Sequence, residues 1–150
     1  MAKKRLVREG IVKNRRTVWL FLFLFSGICF AAQRGTEKSS SGEEFVGVWS
    51  GTWEGAGGSG GFELTLEKGT DGVAGKVSVT GEPTYKATFK ALSFDGKKMN
   101  AKYDFPPNAA EAEVWLATTF DGNKANGTWS LRAKANDTEA AAGTWSVTKK

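Results

Sequence analysis

From residue 45 onward, apolar and polar positions alternate in short runs separated by glycine, Asp-Gly and proline. Phe62, Leu64 and Leu66 oppose Glu63, Thr65 and Glu67. Val77 and Val79 oppose Lys76, Ser78 and Thr80, and Met99, Ala101, Tyr103 and Phe105 oppose Lys98, Asn100, Lys102 and Asp104. A period of two is that of a half-buried β-strand, and no window carries a convincing helical period. The runs predict eight strands, at residues 45–54, 61–68, 73–80, 84–94, 97–105, 113–120, 124–134 and 141–148. Asp71-Gly72, Asp95-Gly96 and Asp121-Gly122 supply hairpin turns, and Pro106-Pro107-Asn108 stops the fifth strand. With every connection short, neighbours in sequence become antiparallel neighbours in space. The expected fold is all-β: an eight-stranded antiparallel up-and-down meander closing into a small barrel, since closure removes exposed edges. One strand breaks phase. Tyr85, Ala87 and Phe89 face one way, but Leu92 and Phe94 require a shift, which predicts a bulge near Ala91.

The tripeptide Gly-x-Trp occurs four times, at Gly47-Val48-Trp49, Gly51-Thr52-Trp53, Gly127-Thr128-Trp129 and Gly143-Thr144-Trp145. Two copies lie on the first expected strand and two on the last two. If first and last strands pair, all four become neighbours. Within each copy the glycine shares the face of the tryptophan, and a missing side chain gives an indole room to lie on the backbone. Small residues alternating with large ones suit the taper of a small barrel.

The first 32 residues follow another rule. Seven basic residues and one acid precede an apolar run from Val18 to Phe30 that ends in Ala31-Ala32. This is the pattern of a secretory signal peptide, cut after Ala31 or Ala32, and the run is shorter than the ~20 apolar residues a membrane span needs. An uncleaved N-terminal anchor is the rival, and it is the only membrane contact expected. Cys29 follows Ile28, where lipoprotein signals carry a small residue, and Arg15-Arg16 lacks any cofactor motif to suggest twin-arginine export. The domains expected are a signal peptide at 1–32, a flexible Ser/Gly linker at 33–44 and a β-barrel at 45–150. The protein is then secreted or periplasmic, in the cell envelope.

Export changes the charge and the chemistry. The chain is net +5, but seven of its 21 Lys/Arg and one of its 16 Asp/Glu precede Gln33, leaving 14 and 15. The exported part is therefore near −1, with its lysines scattered, so no nucleic-acid partner is expected. It contains neither His nor Cys. Ser-His-Asp and Cys-His catalysis, the usual zinc sites and disulfides are thereby excluded. Glu63 with Glu67 and Glu111 with Glu113 face outward and read as solvated charge rather than general acid and base. No catalytic residue, metal or cofactor is expected, and the protein is not read as an enzyme. The 55–61 stretch, GAGGSGG, is a loop with no helix behind it to bind phosphate. Asn126-Gly127-Thr128 and Asn136-Asp137-Thr138 match the glycosylation sequon.

With Gly-x-Trp on its first strand and Trp129 and Trp145 on later ones, the chain resembles the small calycin-type eight-stranded barrels, avidin-like and lipocalin-like. The resemblance implies a meander that forms a cup for one small ligand. Two features depart from it. Lipocalins pair the first-strand Trp with a late Arg, whereas only Arg34 and Arg132 follow residue 32 here. The polar side chains that read biotin in avidins have no convincing equivalents. The resemblance carries a fold and a pocket, and no ligand.

Two functions follow from the residues. Trp49, Trp53, Tyr85, Phe89, Tyr103, Trp129 and Trp145 face inward and would line a site for a small apolar or aromatic ligand. The same rings would otherwise fill the barrel, since eight strands leave an interior that is packed solid or holds one small ligand. A solid core makes the protein a protein-interaction or envelope-associated structural barrel, an inhibitor-like module. Trp115 shares the outward parity of Glu113, and an exposed mid-strand Trp points to a protein partner or self-association.

Overall fold

A computed structural model describes residues 42–55 and 57–150. The signal peptide and most of the linker lie outside these residues. Nine antiparallel strands form one curled sheet in meander order: β1 (Gly47–Gly55), β2 (Gly58–Gly69), β3 (Gly72–Val79), β4 (Tyr85–Thr88), β5 (Ala91–Asp95), β6 (Lys98–Asp104), β7 (Ala112–Asp121), β8 (Lys124–Ala133) and β9 (Glu139–Lys149). Each pairs with its sequence neighbours except at one place, and β1 pairs with β9, so the order runs β4-β3-β2-β1-β9-β8-β7-β6-β5. The first and last strands pair, which brings the Gly-x-Trp copies together. Two-residue turns join Asp95 to Lys98 and Asp121 to Lys124, with Gly96 and Gly122 at φ 56° and 59°. The aspartates end strands and the glycines take the first turn position, supplying the positive φ that primed hairpin turns require there.

The exception corrects two expectations, eight strands and closure. The single strand expected at 84–94 is two strands, β4 and β5, and these ends of the sheet form no ladder with each other. The sheet is an open half-barrel. Its cause is the phase shift itself. Phe89 N donates to Gly75 O on β3, and Lys90 N donates to Lys102 O on β6. The chain therefore changes partners between Phe89 and Lys90. Lys90 and Ala91 are both exposed, so the inward series resumes out of step at Leu92.

The concave face holds the core, including Trp49, Leu64, Leu66, Met99, Tyr103 and Phe120, all under 2% exposed. Alternation placed Trp49, Leu64, Leu66, Met99 and Tyr103 correctly. Phe45, expected to open the first strand, instead lies in a 3-10 turn (Glu43–Phe45) and plugs one end of the half-barrel. Its ring stacks on Phe120 at 4.1 Å between centroids and on Phe94 at 5.8 Å, and Trp49 meets Phe120 edge-on at 5.0 Å. The Trp49 indole N–H donates to Phe45 O at 2.9 Å, which ties the plug to β1. This end carries the β2–β3, β5–β6 and β7–β8 turns.

Candidate functional site

The tryptophans owe their positions to glycines on neighbouring strands. Trp53 pairs with Gly60, Trp145 with Gly127, and Trp129 with Gly143. Because β8 and β9 are antiparallel, Gly127-x-Trp129 and Gly143-x-Trp145 exchange: each tryptophan covers the other tripeptide's glycine. A Cβ at Gly143 would lie 2.0 Å from Glu54 O and 2.7 Å from Trp129 Nε1; one at Gly60 would lie 1.8 Å from Thr80 O and 2.7 Å from Trp53 Nε1. No side chain fits there. Across these gaps Trp129 donates to Glu54 O at 3.1 Å and Trp53 donates to Thr80 O at 3.0 Å. Each indole thus spans three strands, satisfies its only donor and keeps a fixed orientation.

That lattice forms one wall of a cavity of about 180 Å³ at the end opposite the Phe45 plug. The β1–β2, β3–β4, β6–β7 and β8–β9 connections surround it. Trp53 and Trp129 meet edge-to-face at 5.8 Å and 82° on one side. Tyr85, Tyr103 and Phe105 stand on the other, with Tyr85 and Phe105 at 85°. Phe62, Val79, Val114, Leu131 and Ala141 complete the apolar lining, and Glu82 and Pro83 stand at the rim.

The seven aromatic residues expected to line a site separate by depth. Trp53, Tyr85, Tyr103 and Trp129 line this cavity. Trp145 is 3% exposed beneath it, with its ring 4.8 Å from Phe62. Trp49 lies at the plugged end. Phe89 stacks on Tyr103 at 6.1 Å and occupies the space above Gly75. Sequence reasoning missed Phe62, Val79, Glu82, Pro83, Phe105, Val114 and Leu131. Phe62, Val79, Val114 and Leu131 share the inward parity, and their distance from the connections at this end is the signal that would have found them.

The polar centre of the cavity is a pair of hydroxyls, Tyr85 and Tyr103, 3.0 Å apart. Burial pushes Tyr103 far above the ordinary tyrosine range, and the neighbouring Tyr85 pushes the same way. Burial also raises Tyr85, against the lowering effect of its hydrogen bond to Tyr103. Both hydroxyls therefore stay neutral across the physiological range. One donates to the other, which leaves a single O–H and free lone pairs for a guest.

Trp115 lies on the convex face, as its parity predicts, but it is not bare. Lys102 Nζ lies 3.4 Å from its ring centroid and Arg132 Cζ 4.8 Å, and its indole N–H donates to Glu113. Glu113 in turn pairs with Lys90, which also bonds Asp104 at 2.8 Å. Lys134 first and Lys90 second hold the Asp104 carboxyl below the usual range; Lys90 does the same to Glu113. This network ties Lys90, at the step between β4 and β5, to Asp104 on β6 and Glu113 on β7. Among the described residues no three His, Cys, Asp or Glu side chains gather to hold a metal ion, and no helix is long and apolar enough to cross a membrane.

Fold and cavity together define a small curled β-sheet protein with an aromatic hollow at one end. No protein-family model, curated protein or solved structure matches the chain.

Proposed function

We propose that this is an exported binding protein, not an enzyme, whose open end takes one small apolar or aromatic ligand. The observation that carries this reading is the cavity between Trp53, Trp129, Tyr85 and Tyr103. Its volume of about 180 Å³ compares with the ~150 Å³ of an apolar cavity known to hold benzene. A single ring or a small bicycle therefore fits, with a polar atom directed at the tyrosine hydroxyls. The indoles already use their N–H groups on backbone carbonyls, so they offer faces and edges rather than donors. Export rests on the N-terminal sequence pattern, and calycin-like kinship rests on Gly-x-Trp and the curled meander.

The alternative is an interaction or envelope structural barrel that meets a partner or a second copy at Trp115. Lys102 and Arg132 already occupy that ring, which favours a solvated cation–π stack over an open contact. We prefer the cavity.

The test is to titrate the purified protein with phenol and with indole while following its tryptophan indole N–H resonances. Saturable shifts at Trp53 and Trp129, with Trp49 and Trp145 unmoved, are expected. If no concentration moves Trp53 or Trp129, the cavity is not a site for a neutral aromatic ligand.

A further inference from the structure

Resting on the reading of the open end as a ligand site, we infer that its ligand is a small organic cation: an alkylated ammonium or a compact protonated amine. The charge balance of the lining carries it. Six of its side chains are aromatic: Trp53, Phe62, Tyr85, Tyr103, Phe105 and Trp129. Aromatic faces are electronegative, and sites that recognise quaternary ammonium groups are boxes of such rings. Among the described residues, Glu82 at the rim is the only charged side chain that lines the cavity, and it is negative.

The geometry agrees with a box. Trp53 with Trp129 and Tyr85 with Phe105 each stand nearly perpendicular, at 82° and 85°. The walls turn corners rather than stacking shut. The tyrosine pair contributes lone pairs without charge, so it accepts from an N–H or O–H of the guest. An anion would meet Glu82 and the ring faces with no lysine or arginine in the lining to receive it.

Charge and shape separate cleanly in a matched series. Choline, its neutral carbon counterpart 3,3-dimethylbutan-1-ol and the anion 3,3-dimethylbutanoate carry similar branched heads. Isothermal titration of the full chain with each is the measurement, repeated on Glu82→Gln. Glu82 is exposed, so its exchange does not threaten folding.

Choline binding about tenfold or more tighter than the neutral alcohol, with the anion weakest, is the expected order, given the strength of cation–π contacts in a partly desolvated site. Glu82→Gln should narrow that gap several-fold by weakening choline while leaving the alcohol unchanged. If the alcohol binds as tightly as choline, the cation assignment is overturned and the apolar cup stands. A choline preference that survives intact in Glu82→Gln removes the role given to Glu82. No heat from any of the three, together with unmoved Trp53 and Trp129 resonances in phenol and indole, overturns the cup as well.

Discussion

Trp129 lies across Gly143, and only the missing side chain at Gly143 lets its indole reach Glu54 O, 3.1 Å away on the strand beyond. The same arrangement recurs where Trp53 crosses Gly60 to Thr80 O. These two indoles thus close seams between neighbouring strands on the concave face, and both present their remaining surface to the cavity. The Gly-x-Trp repeat is structural first, and the site is built from what the structure leaves uncovered.

Adding one methyl tests the lattice. Gly143→Ala places a carbon 2.0 Å from Glu54 O and 2.7 Å from Trp129 Nε1, so β1 and β9 must separate and the Trp129 indole must shift as well. Overpacking of this kind destabilises by about 1–3 kcal/mol. Urea unfolding should show the midpoint falling. Gly96→Ala, where an added Cβ meets nothing within 4 Å but φ is positive, is the comparison for the effect of a positive-φ turn without a clash. A loss at Gly143 no larger than at Gly96 would contradict the seam.

Depth separates core tryptophan from wall tryptophan. Trp145 is buried against Phe62, so Trp145→Ala should lower stability by about 3–5 kcal/mol, as for a packed aromatic. Trp129 is only partly buried on the cavity wall, so Trp129→Ala should lose less stability and abolish ligand response. Chemical denaturation alongside titration checks both. Equal losses would mean that Trp129 is core.

The tyrosine pair makes stability fall in alkali. Its hydroxyls titrate above the ordinary value of 10.0 when folded, so above that pH the unfolded chain has lost protons that the native state retains. By linkage the contribution is fully present below about pH 10 and declines as pH rises further. In Tyr85→Phe/Tyr103→Phe this part of the decline should vanish. The single variant Tyr103→Phe should also lose about 0.5–1.5 kcal/mol at neutral pH with its hydrogen bond. Unfolding curves at pH 8 to 11 measure both effects.

Much of this was legible because a two-residue period reports burial directly. The inward series and the outward parity of Trp115 follow from it, and the turns were legible from their Asp-Gly dipeptides. The phase slip between Phe89 and Leu92 was visible too, but as a bulge. Two half-strands with different partners and one strand with a bulge give the same alternation, and only the bonds from Phe89 to Gly75 and from Lys90 to Lys102 distinguish them. Height along the half-barrel has no period. That is why Trp49 and Trp145, which fill, looked like Trp53 and Trp129, which line. Phe45 was equally opaque, because a 3-10 turn three residues long carries no pattern. The rim residues Glu82 and Pro83 read only as punctuation between strands.

The most direct measurement is tryptophan emission during titration with indole-free single-ring ligands, run on the unmodified protein and on Ala141→Phe. Ala141 lines the cavity and is half-buried, so a phenyl group there occupies the hollow without removing a wall. Saturable quenching is expected in the unmodified protein and none in Ala141→Phe, which should unfold at a similar or higher temperature. Equal quenching in both proteins, or none in either, would contradict a ligand site at the open end.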